Sequence, residues 1–273
     1  MSRRVEVSIP LASRWSTSGF LFGLCCLLVA CGPTGRNPGE PLVETPQPSS
    51  VPAASPGDTD PRVEKARKII GSKPAEARAI LAAVLADHPG SFQARFLVAF
   101  SWHRQKHYEK ARRGFEEILN SGAVFSGSEN VLHFHGWALY HLGRLREAAV
   151  AFSRHAEKAP TVAATWFGLG LIALEDGRLD EAETFLLKAR DLQGRNSKRK
   201  IEFARTVARL GEVYELQGRL ELARSQFEEA TRTWPRHYNA HYKLSRVLLR
   251  MGEREAAQAA LKQHQEISRG AGG

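Results

Sequence analysis

The sequence predicts an all-α fold: a right-handed α-solenoid of about six helix–turn–helix hairpins, preceded by a disordered, proline-rich linker. Three observations carry this expectation. An alanine, a large apolar residue four later and a small or apolar residue three after that recur at intervals near 34 residues. Gly143, Gly177, Gly218 and Gly252 each stand five residues ahead of such an alanine. Eight of the thirteen prolines crowd into residues 32–61, before the periodic pattern begins.

Residues 1–30 carry the pattern of an export signal. Arg3, Arg4 and Arg14 form a basic start, and an apolar run extends from Phe20 to Ala30. A membrane-spanning helix needs about 20 apolar residues, so this run is too short for a permanent span. Its end, Leu28-Val29-Ala30-Cys31, resembles a bacterial lipobox. The resemblance implies cleavage between Ala30 and Cys31 and lipid attachment at Cys31. It also implies an outer-membrane address facing the periplasm, because Gly32 rather than Asp follows the cysteine. Two or three acyl chains anchor stably, at about 0.8 kcal/mol per buried CH₂. All three cysteines, Cys25, Cys26 and Cys31, fall within this segment. A disulfide framework, a Cys-ligated metal and a catalytic thiol are therefore excluded from the rest of the chain.

Residues 31–61 lack apolar periodicity and cannot bury enough surface to offset their ordering entropy, so an extended tether is expected there. From residue 62 to 269 the helical pattern holds, leaving 270–273 as a tail. Its fixed points are Ala77/Leu81/Val84, Ala111/Phe115/Ile118, Ala148/Phe152, Ala182/Leu186/Ala189, Ala223/Phe227/Ala230 and Ala257/Leu261. Ahead of them stand small residues on partner helices: Ala99, Gly136, Gly170, Gly211 and Ser245. This pattern resembles the tetratricopeptide repeat, a 34-residue helical hairpin. Units begin near 58, 92, 129, 163, 204 and 238, and Trp166-x2-Leu169-Gly170-x2-Ala173 in the fourth is nearest the family consensus. Small side chains let the two helices of a hairpin approach, and large ones fill the grooves between hairpins. Two insertions break the period. One lies in the loop around Ser121–Ser128. The other, around Gly194–Lys200, fits either a longer first helix of the fifth unit or a longer loop, with Lys198, Arg199 and Lys200 as a solvated helix end.

In this family first helices line a concave face, and positions 2, 5, 9 and 12 of each unit point into it. The resemblance therefore implies a partner-binding groove. From the second unit it takes Phe96, Phe100 and His103, and from the third Asn130, His133, Trp137 and Tyr140. The fourth adds Phe167 and Leu171, the fifth Arg205, and the sixth Asn239, Tyr242 and Arg246. Arg209 joins them as the second member of a basic pair with Arg205. Aromatic anchors beside charged neighbours are usual makings of a peptide-binding surface. Some relatives grip a terminal carboxylate with a Lys/Asn/Arg clamp. Phe134 and Gly168 stand where its asparagines belong, so the clamp is not supported.

The sequence contains no nucleophile elbow, phosphate loop or dinucleotide fingerprint, and no enzymatic role is expected. His133 and His135 point to different helix faces, and no glutamate joins His237 and His241 into a zinc motif; no metal or other cofactor is expected. The net charge of +10 suits anionic partners in the cell envelope rather than nucleic acid. The expected function is a membrane-anchored scaffold that holds a peptide or helix of another envelope protein and organises or assembles a complex. Lipoproteins that assist pilus or secretion-pore assembly are similar in layout. Docking regulation of a cell-wall enzyme is the alternative.

Overall fold

The computed structural model describes residues 55–194 and 199–270. Ala30, Cys31, the export signal and nearly all of the tether lie outside the described residues. Among the described residues, twelve α-helices follow a short 3-10 helix at Pro56–Thr59. The first hairpin pairs α1 (Pro61–Ile69) with α2 (Pro74–Asp87), the second α3 (Phe92–Arg104) with α4 (Tyr108–Ser121). The third pairs α5 (Asn130–His141) with α6 (Leu145–Lys158), and the fourth α7 (Ala163–Glu175) with α8 (Leu179–Gln193). The fifth pairs α9 (Lys200–Leu216) with α10 (Leu220–Thr233), and the sixth α11 (Tyr238–Arg250) with α12 (Arg254–Gly270). No described helix is long and apolar enough to cross a membrane.

Each helix packs on the next in sequence, and the first helices of consecutive hairpins also touch: α1 on α3, α3 on α5, α5 on α7, α7 on α9 and α9 on α11. Consecutive second helices do not meet to a comparable extent. A stack tight along one side and splayed along the other must curve. Here the first helices line the inner face.

The recurring residues do the packing that their sizes allow. Phe115, Phe152, Leu186 and Phe227, at equivalent places in successive second helices, are all fully buried. The glycines opposite them are required by space. A Cβ on Gly136 or on Gly168 would stand 2.7 Å from carbons on the Phe152 ring, so that ring is wedged between two hairpins with a glycine on each side. Gly168 is thus fixed by packing, which is why no clamp asparagine can stand there. Fully burying such a ring contributes about 2–3 kcal/mol.

The turn glycines sit in the left-handed region, with φ of 74° at Gly143, 72° at Gly177, 76° at Gly218 and 86° at Gly252. In the second hairpin the equivalent place holds Lys106, at φ 63°, where a side chain is strained.

Three features depart from the periodic expectation. Residues 56–59, grouped with the tether by composition, dock on the array. Asp58 Oδ1 accepts from Ser91 Oγ at 2.8 Å and from the Gln93 amide at 2.9 Å, capping α3 together with Ser91. The insertion after Ser121 carries Phe125 into the core, 6.0 Å from the Phe96 ring. The second insertion extends a helix: α9 has 17 residues against 13 in α7, and the extension buries Phe203. Arg199 and Lys200 are exposed beside it.

Candidate binding groove

The inner face divides into an aromatic half on α3, α5 and α7 and a charged half on α9 and α11. In the aromatic half the rings lean on one another. Phe100 lies 4.7 Å from Phe134 between centroids, and Trp137 lies 5.2 Å from Phe152 and 6.3 Å from Phe167. Phe100, His103, His133, Trp137, Tyr140 and Phe167 are all half-buried: they keep a face to solvent while their bodies are held by neighbours. Asn130 is also half-buried, at the start of α5, and its Nδ2 donates to Glu129 at 3.2 Å.

Two expected groove residues belong to the core instead. Phe96 is 8% exposed, enclosed by Phe100, Phe115, Phe125 and Phe134, and Leu171 is 7% exposed. Position 5 in the second unit turns inward because the loop ring Phe125 closes over it.

Several polar partners were hidden from the sequence. The Tyr140 hydroxyl donates to Glu175, and burial with that carboxylate pushes the phenol well above its ordinary range. His133 and His155 share the Thr165 hydroxyl, with Nδ1 to Oγ1 distances of 3.0 and 2.7 Å. Burial depresses His133 to about 4 and His103 to about 4, so both are neutral imidazoles at pH 7. His155 is fully buried and depressed by the same cause.

In the charged half, Arg205, Arg209, Asn239, Tyr242 and Arg246 are exposed. Arg209 pairs with Glu212 at 2.8 Å, and Arg246 with Glu215 at 2.8 Å. Tyr242 leans on His264 of α12, 5.4 Å between ring centroids. The positional rule overlooked Lys243 and Arg250, at positions 6 and 13 of their unit. They reach Glu212 at 3.5 Å and Glu215 at 3.6 Å respectively. The signal available was spacing: Arg246 and Arg250 are four apart, so they share one helix face.

His237 caps α11 by accepting from the Ala240 amide at 3.3 Å, while His241 contacts the Pro235 carbonyl oxygen at 2.9 Å; their rings serve different ends. Among the described residues no group of three His, Cys, Asp or Glu side chains is arranged to hold a metal ion. The groove offers apolar ring faces, hydrogen-bond groups and cations, which suit non-covalent capture.

Four models of the tetratricopeptide repeat match the chain, over residues 71–122, 130–154, 161–236 and 214–270. Among solved structures, MamA (residue 41 to end) from Desulfovibrio magneticus RS-1 is similar at 18% identity and a TM-score of 0.57, over 66% of this chain and 96% of that one. The APC/C hetero-tetramer Cut9–Hcn1 is similar at 16% identity and a TM-score of 0.61, over 79% of this chain and 44% of that one. At such identities the likeness is one of fold. No curated protein matches the chain. Together the repeat models span more than half of the sequence, and the described helices form the matching solenoid: the chain is a tetratricopeptide-repeat protein.

Proposed function

We propose that this protein is a lipid-anchored scaffold of the bacterial envelope whose inner groove holds a peptide or helix of another envelope protein, organising or assembling a complex. The observation that supports it is the row of half-buried rings on the first helices, Phe100, Trp137 and Phe167, held in place by packing yet open on one face. Pre-ordered aromatic anchors lose little entropy on binding and supply most of the affinity in such interfaces. Cut9, a fold relative, is captured in a hetero-tetramer with Hcn1, which fits a repeat array acting through protein contacts.

The lipobox-like end of the signal and the tether would place the array at a distance from the membrane. At about 3.1 Å per residue, thirty residues reach up to ~90 Å. Replacement of Cys31 by Ser is expected to abolish labelling by a fatty-acid probe; labelling that persists removes the anchor.

Pull-down after membrane solubilisation, comparing wild type with the Phe100→Ala plus Trp137→Ala double variant, tests the groove. A specific partner lost while helicity is retained supports the proposal, and unchanged partners overturn it. A wall-building enzyme as the lost partner would mean regulation rather than assembly.

A further inference from the structure

The charged half of the groove is built differently from the ion pairs elsewhere on the array. On the second helices the ion pairs are close to balanced: Arg112 and Arg113 stand with Glu109 and Glu116, and Arg224 with Glu228 and Glu253. On the inner face the cations outnumber the carboxylates. Glu212 is shared by Arg209 and Lys243, and Glu215 by Arg246 and Arg250. Arg205 has no carboxylate partner among the described residues, and its guanidinium lies 5.7 Å from the Trp234 ring. Five cations thus accompany the two paired carboxylates, with Glu175 on the Tyr140 hydroxyl and Glu202 at the start of α9 at the border of this face.

The layering is equally uneven. The Glu212 and Glu215 side chains are 14% and 6% exposed, whereas Arg209, Arg246 and Arg250 are 44–50% exposed. The acids lie beneath and hold the cations in place; the cations form the surface. An approaching ligand meets guanidinium groups already ordered, with positive charge left over after the internal pairs are counted.

We propose that α9 and α11 form a reading surface for an acidic segment of the protein partner, one carrying several side-chain carboxylates next to an apolar or aromatic anchor. The proposal rests on the groove reading above and assigns the ligand's chemistry. A protein segment is favoured over a membrane because the surface lies on the inner side of a curve, which a flat bilayer cannot follow. It is favoured over nucleic acid because the cations adjoin the aromatic half. Phe167 on α7 and Arg205 and Arg209 on α9 stand on first helices that touch, so a ligand crossing from one half to the other needs both apolar and anionic parts.

The test is fluorescence anisotropy of the full chain with labelled 12-residue peptides of alternating Glu and Ala or alternating Gln and Ala. A vesicle containing phosphatidylglycerol and a single-stranded 12-nucleotide DNA serve as competing probes. The Glu peptide is expected to bind about tenfold or more tightly than the Gln peptide at 50 mM salt, with the gap shrinking at 200 mM. Arg205→Ala and Arg246→Ala are each expected to weaken it by roughly 3- to 10-fold. Arg205 has no internal ion pair, so its removal leaves no buried charge and keeps the test independent of folding. The Phe100→Ala plus Trp137→Ala variant should bind the Glu peptide as wild type does.

Equal affinity for the two peptides overturns the proposal. So does Glu-peptide binding indifferent to Arg205 and Arg246, or vesicle or DNA binding that is tighter and depends on the same two residues. The two readings fail separately. A partner pull-down sensitive to the aromatic variant, without any Glu preference, removes only the acidic-segment assignment. Glu preference with an insensitive pull-down removes only the aromatic-anchor reading.

Discussion

The amino and carboxyl halves of the groove use one repeat frame for opposite ends. At position 9 the second and third units place Phe100 and Trp137, and the fifth and sixth place Glu212 and Arg246. The rings bury one another and pull neutral histidines into the wall; the charged residues stay at the surface, ordered by shared carboxylates. The packing alanines are the same in both halves, and so are the turn glycines except in the second hairpin, where Lys106 takes that place. Apart from the two insertions, what differs lies at the inward positions, so the frame determines shape and those few residues determine what the shape can hold.

The largest effect should come from the wedge between the third and fourth hairpins. Phe152→Ala removes a ring flanked by glycines that cannot fill the space, and about 3–5 kcal/mol should be lost, read as a fall in the urea midpoint. Arg205→Ala, in the other half, removes an exposed arginine that has no ion pair among the described residues and should shift the same midpoint by less than about 1 kcal/mol. Comparable losses at the two positions would erase the distinction between a packed half and a solvated one.

Acid should separate the halves next. His103 and His133 are depressed to about 4 by burial. Because their ordinary value is near 6.5, the unfolded chain takes up protons first. Their contribution is complete above about pH 6.5 and is lost as the pH falls toward 4, about 1–2 kcal/mol for each by pH 5. His135, His141 and His155 shift in the same direction for the same cause, whereas His237, also depressed to about 4, is the one such histidine described in the charged half. Hydrogen exchange at pH 7.5 and pH 5, corrected for intrinsic rates, should show α3 and α5 losing protection before α9. Loss in the reverse order would mean that the imidazoles do not govern acid stability.

A smaller effect sharpens the point that the frame is shared. Lys106 occupies the left-handed turn position that glycine holds in four later hairpins. Lys106→Gly should stabilise by about 1 kcal/mol, and Gly143→Ala should cost a similar amount, both read as shifts in melting temperature.

The solenoid was legible because its signal is repeated: alanine, ring and glycine recur where two helices must approach closely. The end of the tether was misread, since the proline content that marks residues 56–59 as linker also suits the start of a docked 3-10 helix, and Asp58 bonds to an amide 35 residues away. Within the groove, positional carry-over found the exposed face but could not tell Phe96 from Phe100. The inserted Phe125, unique to that loop, completes the cover over Phe96 begun by Phe100, Phe115 and Phe134. Glu212 and Glu215 fall at positions 9 and 12 of their unit, but their pairing with cations of α11 was out of reach, because it spans some thirty residues with no periodic mark.

The groove itself is tested most directly by photocrosslinking in the native membrane, with benzoylphenylalanine placed at Phe100, at Tyr242 or at Val150. Phe100 and Tyr242 lie on the first helices, and Val150, 60% exposed, lies on a second helix. Crosslinks to one and the same protein from Phe100 and Tyr242, with none from Val150, are the expected result. Capture from Val150 with silence at the two inner positions would mean that partners are held on the outer surface.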